Sequence, residues 1–174
     1  MPQPELAVGL VQPFGWGLAY EEAIHIPDPA VASDLIYTVT GRYWERIPAL
    51  GVTLVTDANA GNRFVSLQVR DADAQVLAAF PAAAVQTAAL TRRYSFVSNL
   101  SAASGPLGGF YFSPAPLFFL QPGWTARVVI DTVKAGDQLS LAVILRERFP
   151  TGAAGYPMGG MVPEEDHRTP LRTR

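Results

Sequence analysis

Leu50-Gly-Val-Thr-Leu-Val-Thr56, Asp57-Ala-Asn-Ala-Gly-Asn62, Arg63-Phe-Val-Ser-Leu-Gln-Val-Arg70, Asp71-Ala-Asp-Ala74 and Gln75-Val-Leu-Ala-Ala-Phe80 follow one another without a break. Residues 50–56 and 63–70 alternate in polarity, the two-residue period of a strand with one buried face. The pieces between them are Asp, Asn, Ala and Gly. Asp and Asn close tight turns by bonding to nearby backbone, and Gly reaches positive φ without strain. Strand, turn, strand, turn, strand predicts an antiparallel meander.

The same grammar extends in both directions. Upstream, Leu35-Ile-Tyr-Thr-Val-Thr40 reads as a strand, and Arg42-Tyr-Trp-Glu-Arg-Ile47 is strand-like up to Pro48. Pro48 has no N–H to give a ladder, so it marks an edge or a bend. Downstream, Leu90–Ser98 alternates with Tyr94 and Phe96 on one face and Arg93 and Ser95 on the other. Between them, Ala82–Ala89 is ambiguous, and Val85, Thr87 and the flanking Pro81 favour strand. Residues 99–116 read as a long Ser/Gly/Pro loop that carries Phe110-Tyr-Phe112. Leu117–Leu120 is a short apolar strand, and Gln121-Pro-Gly-Trp124 fits a type II turn. Trp124–Asp131, a turn at Lys134-Ala-Gly-Asp137 and Gln138–Arg146 complete the pattern, with no helix of normal length.

About nine strands at intervals of about 8–12 residues predict an all-β fold, an antiparallel β-sandwich of jelly-roll-like type. The sandwich is expected over 34–149. Residues 1–33 read as an N-terminal extended arm and 150–174 as a C-terminal extended tail, both rich in Pro and Gly and without periodicity.

Composition narrows the function classes. At 174 residues the chain is one domain with room for a real core. It is 49% hydrophobic, yet no apolar run reaches the roughly 18–20 residues of a membrane span. The N-terminus lacks the basic-then-apolar pattern of a secretory signal. Cysteine is absent, which removes disulfides and thiol catalysis. Charged residues make up 16%, against about 25% in an average domain, so the surface is poor in charge and suited to cover by partners. Lys134 is the sole lysine. The bland account of that bias is a GC-rich coding sequence; the value of arginine at interfaces is a second account.

Candidate chemistry is sparse. The two histidines, His25 and His167, fall in the arms, so no Ser or Thr has a base on the scaffold. Asp71, Asp73 and Gln75, like Asp57, Asn59 and Asn62, have the spacing of cation-binding oxygens, but short Asp/Asn runs are more simply turns. Glu21-Glu22 and Glu164-Glu165-Asp166 are adjacent acids rather than a pair held across a cleft. No GxGxxG or GKS/GKT sequence is present to cradle phosphate. Trp44 and Trp124 lie in or beside strands and read as packing, leaving Trp16 as the tryptophan suited to a partner or a sugar. The arginines are scattered, giving nucleic acid no patch. The reading is of a non-enzyme that needs no cofactor or metal.

From Tyr43 to Phe149 the chain resembles a β-sandwich family of tailed-bacteriophage virion proteins. The resemblance rests on Tyr43-Trp44, Val52-Thr-Leu-Val-Thr-Asp57 and the Ala-Asn-Ala-Gly-Asn-Arg63 turn. It continues through Val65-x-Leu-x-Val69-x-Asp71, Gln86-Thr87, Leu120-Gln-Pro-Gly-Trp124 and Ala135-Gly-Asp137-Gln138. It implies a virion structural protein, most simply a capsid decoration or cement protein whose arms bridge subunits. A neck or tail accessory protein and a carbohydrate- or receptor-binding module are the alternatives. The implied partners are the major capsid protein or other virion proteins and copies of the chain itself, as a trimer, with no nucleic acid or membrane involved. The expected location is the virion. The expected contact residues are Phe14, Trp16 and Tyr20 in the first arm, Phe110, Tyr111 and Phe112 in the loop, and Tyr156, Met158 and Met161 in the tail.

Overall fold

Residues 50–80 fold as expected, but the first strand begins earlier. In the computed structural model, which describes residues 20–107 and 109–150, a single strand runs from Tyr43 through Pro48 to Val55. In chain order the strands are β1 (Tyr20–Ile26), β2 (Leu35–Thr38), β3 (Tyr43–Val55), β4 (Phe64–Arg70), β5 (Val76–Pro81) and β6 (Thr91–Val97). They continue with β7 (Ser104–Leu107), β8 (Phe110–Pro114), β9 (Phe118–Leu120), β10 (Thr125–Asp131) and β11 (Gln138–Pro150). No helix occurs among the described residues.

These strands form two sheets. The first has the order β1-β11-β3-β6-β8-β7, with β9 also paired to β3, and the second has the order β2-β10-β4-β5. The all-β sandwich is therefore as predicted, with eleven strands rather than nine. Two of the additional strands, β7 and β8, lie in residues 99–116. The aromatic run there joins the sheet because its backbone pairs with β6, in parallel, from Arg93↔Phe110 to Val97↔Pro114. Another, β1, lies in the stretch expected as an arm and pairs with β11 from Tyr20↔Arg148 to Ile26↔Ala142. Residues 82–89 form no strand, in contrast to their composition. Their one ladder contact is the isolated bridge Arg63↔Gln86, because the buried Gln86 amide is bonded to backbone oxygens of neighbouring segments.

The antiparallel pairs nest. β1 pairs with β11, β2 with β10, β3 with β6 and β4 with β5. The ribbon so formed is folded over, so that β11 also meets β3 and β10 also meets β4. β7, β8 and β9 are an excursion between β6 and β10. Between the two sheets, alternate residues of both interlock, among them Leu50, Leu54, Leu67, Tyr94, Phe96, Val128 and Ile144, all 1% exposed or less. Burying apolar surface at about 25 cal/mol per Å² drives this closure.

Two bulges bend the β3–β11 ladder. At Pro48, β3 carries an extra residue between Ala49 and Arg46, so the proline falls at a bend inside the sheet and not at an edge. Its missing N–H costs no ladder bond there. At Leu141, β11 carries the extra residue; its φ is 49°, its side chain is 64% exposed, and its N–H donates to Asp28 Oδ1 at 2.9 Å. The Pro-Gly turn is also as read: Gly123 has φ 85°, and Trp124 N–H donates to Gln121 O at 2.9 Å.

Candidate interaction surface

The buried charged residues Glu45, Arg63, Asp137 and Arg146 are each held in ion pairs within the protein. Arg63, at the start of the meander's second segment, is fully buried. Its Nε and Nη2 donate to Asp137 Oδ2 and Oδ1 at 2.9 and 3.0 Å, and Nη2 also donates to Asp57 Oδ1 at 2.6 Å. Nη1 donates to the carbonyls of Asn59 and Gly61, both at 2.8 Å. A guanidinium has five N–H groups, so every donor is spent within the protein. Asp137 also accepts from the backbone of Asp57 and Lys134. Burial opposes ionisation of both acids. For Asp137 the Arg63 side chain and two backbone N–H groups outweigh that, and for Asp57 the Asn59 side chain and the N–H groups of Asn59 and Gly136 do so. Both carboxyls are held below the usual range.

A second network lies between the sheets where β1, β11, β3 and β2 meet. The Tyr37 hydroxyl donates to Glu45 Oε2 and accepts from Arg146 Nη1. Glu45, fully buried, also accepts from Arg148 Nε at 3.0 Å, and Glu22 accepts from Arg146 Nη2 at 2.9 Å. Burial first, and then the bond to Glu45, raises the Tyr37 hydroxyl far above its ordinary value, against the opposing effect of Arg146. Both networks join segments distant in sequence, and removing one partner from either would leave a buried charge uncompensated. Asp71 behaves as turn chemistry: its Oδ1 accepts from the N–H groups of Asp73 and Gln75 at 3.0 and 2.8 Å.

The expected contact residues divide. Phe14, Trp16, Tyr156, Met158 and Met161 lie outside the described residues. Tyr20 opens β1, at the edge of the first sheet, with three strands between it and β8. Phe110 and Phe112 share the outer face of β8, their rings 6.1 Å apart and near parallel, with the Arg93 guanidinium 5.2 Å above Phe110. Tyr111 points the other way, packing on the core and 5.9 Å from Tyr94. The aromatic trio is thus split by the strand alternation, two outward and one inward.

The outer faces of the two sheets differ. Following the registers across the first sheet gives one row of His25, Val143, Gly51, Ser95 and Phe112, and a second of Ala23, Leu145, Ala49, Val97 and Pro114. These two rows cross five strands without an Asp, Glu, Lys or Arg. Above Gly51 the nearest atoms to an added Cβ would be 3.7 Å or more away, so the band is low at its centre. Charged residues flank it, with Glu147 and Arg46 paired on one side and exposed Arg93 on the other. The second sheet's outer face instead carries Arg70, Arg127 and Asp131, with Arg127 paired to Asp34 at 2.6 Å. An antiparallel sheet with one wet face alternates, whereas strands covered on both faces read as near-continuous apolar runs. Ile47–Val55 and Leu139–Leu145 are such runs, and they were the available sign of this face.

The chain matches no family model and no curated protein.

Proposed function

We propose that this chain is a virion structural protein of a tailed bacteriophage, acting as a head decoration or cement protein that joins subunits through its flanking segments. The observation that carries the reading is the pairing of Tyr20 with Arg148. It puts Tyr20 and Pro150, the strand ends from which residues 1–19 and 151–174 continue, at the same end of the paired strands β1 and β11, a shared starting point that suits two segments joining neighbouring subunits. A jelly-roll reading of the sandwich accords with this role and is supported by the nested pairing β1·β11, β2·β10, β3·β6 and β4·β5. Jelly rolls serve as viral capsid and lectin domains. The two buried networks make the scaffold rigid, and the uncharged outer face gives apolar area to bury on assembly. Cement of this kind acts by mass action, since it binds the assembled shell and not the dissociated subunits.

The outward pair Phe110 and Phe112 favours a second reading, a carbohydrate- or receptor-binding module, in which the rings stack on a ligand. Counting copies of the chain in purified particles by cryo-electron microscopy separates the two. Hundreds of copies spread over the head support decoration; a dozen or fewer at the neck or tail would replace it with a connector or attachment role. Removing 1–19 and 151–174 is expected to abolish particle binding while leaving the sandwich folded. A doubly truncated chain that still saturates heads would overturn the clasping mechanism.

A further inference from the structure

We infer that the uncharged band on the outer face of the first sheet is the receiving surface for residues 151–163 of a neighbouring copy of the same chain. The inference rests on the assembly reading above and names the contact by which the copies would hold one another.

Four observations point to this occupant. The first is composition. Residues 151–163, Thr-Gly-Ala-Ala-Gly-Tyr-Pro-Met-Gly-Gly-Met-Val-Pro, contain no charge, as do the two rows of the band. An uncharged segment can cover that face without desolvating an unpaired ion. The second is length. Thirteen residues reach about 40 Å when extended, and the band crosses four strand spacings, about 19 Å. The third is direction. β11 passes through Val143, Leu145 and Glu147 in turn, so it has already left its own band when it reaches Pro150. Covering its own face would require the chain to reverse, whereas covering a neighbour's would not. The fourth is charge. The segment is followed by Glu164-Glu165-Asp166, and the exposed guanidinium of Arg93 stands at the border of the band, over Phe110. The acidic run would meet the arginine as the segment leaves the face. A contact made head-to-tail in this way is heterologous, giving a ring of copies where the rotation between them closes and a filament where it does not.

Gly51 and Ala49, at the centre of the band, have a specific part in this. The single methyl of Ala49 and the bare backbone of Gly51 leave the floor low enough for Tyr156, Met158 or Met161 of the neighbour to lie flat on it. Tyrosine and methionine supply large apolar contact area, and methionine adapts to an irregular floor.

The absence of cysteine makes the test direct. One preparation carries Ala49→Cys; a second carries a single cysteine at Ala153, Tyr156, Met158 or Met161. The two are mixed and oxidised mildly. A disulfide-linked heterodimer for at least one tail position is the expected result. Linkage of Ala49→Cys only to itself would overturn the inference in favour of face-to-face stacking. In chains carrying both substitutions, linkage confined to single chains would move the occupant to the chain's own tail and equally overturn it. Gly51→Lys provides the second arm, since an added Cβ would meet only ordinary contacts, the nearest being Ser95 Oγ at 3.7 Å. It is expected to weaken self-association by about tenfold or more in Kd by sedimentation, with circular dichroism unchanged. Self-association undiminished in that variant would also overturn the proposal. Particle binding is scored separately: heads that bind the chain without any tail-to-face linkage would sink this contact and leave the cement reading standing.

Discussion

Arg63 grips both carboxylate oxygens of Asp137, at 2.9 and 3.0 Å, across 74 residues of sequence. The bond ties the turn between β3 and β4 to the turn before β11, and Asp57 is drawn in as the second acid. A planar, forked guanidinium is needed to reach four partners at once. Arg63→Lys is therefore expected to destabilise nearly as much as Arg63→Ala, because one ammonium cannot replace five directed donors. Both should lower the denaturant midpoint more than Arg127→Ala, whose ion pair with Asp34 is partly exposed. Equal midpoints for Arg63→Lys and the parent chain would show the fork to be dispensable.

The same cluster predicts acid sensitivity. Asp57 and Asp137 ionise more readily in the folded chain than in the unfolded one. The stability they contribute is complete above the ordinary carboxylate value of 3.8 and is lost as pH falls through their lower folded values. Urea midpoints measured from neutral pH downward are expected to fall below about pH 4. Asp137→Asn should be less stable at neutral pH and show a flatter acid limb. A limb as steep as the parent's would assign the acid response to other carboxyls.

Tyr37 predicts the alkaline limit. Burial and the bond to Glu45 raise its hydroxyl above the ordinary value of 10.0, so the folded chain holds this proton more tightly than the unfolded chain. Its contribution is complete below that value and is lost as pH rises toward the folded one. Tyrosinate absorbance should show Tyr37 ionising only with unfolding, and Tyr37→Phe should remove that coupled step. The substitution also strips partners from Glu45 and Arg146, costing about 1–3 kcal/mol.

Gly136 is constrained by Asp57. A Cβ at Gly136 would fall 2.7 Å from Asp57 Cβ, and the N–H of Gly136 already donates to Asp57 Oδ2 at 3.1 Å. The obstructing atom is at the root of its side chain and cannot swing away. Gly136→Ala is expected to destabilise by about 1–3 kcal/mol, the usual range for overpacking. Gly105→Ala, where nothing lies within 4 Å, should stay within about 0.5 kcal/mol of the parent. Matched effects at the two sites would contradict the close approach.

Alternation made most strands legible in the sequence. The two-residue period at 50–56 and 63–70 reports which face is buried, and Tyr94 and Phe96 point inward as their spacing requires. Turn chemistry at Asp71–Ala74 and Gln121–Trp124 was legible for the same reason, since it depends on neighbours in the chain. The strands missed were those whose existence depends on a distant partner. β1 is a strand because β11 lies beside it, and β8 is one because β6 presents an open edge to Phe110-Tyr-Phe112. Residues 82–89 read as strand by propensity, yet the Gln86 amide takes up oxygens of other segments and holds them out of the sheets.

The sequence by itself determined the all-β class, the inward face of the main strands and a surface short of charge, because each is a property of local period and composition. Only the tertiary structure decided that Arg63 would face Asp137 and that Tyr20 would lie opposite Arg148. Likewise it alone aligned Ala49, Gly51, Val97 and Leu145 in one uncharged band. Register between strands far apart in the chain is set by packing and buried ion pairs, which no short window of sequence contains.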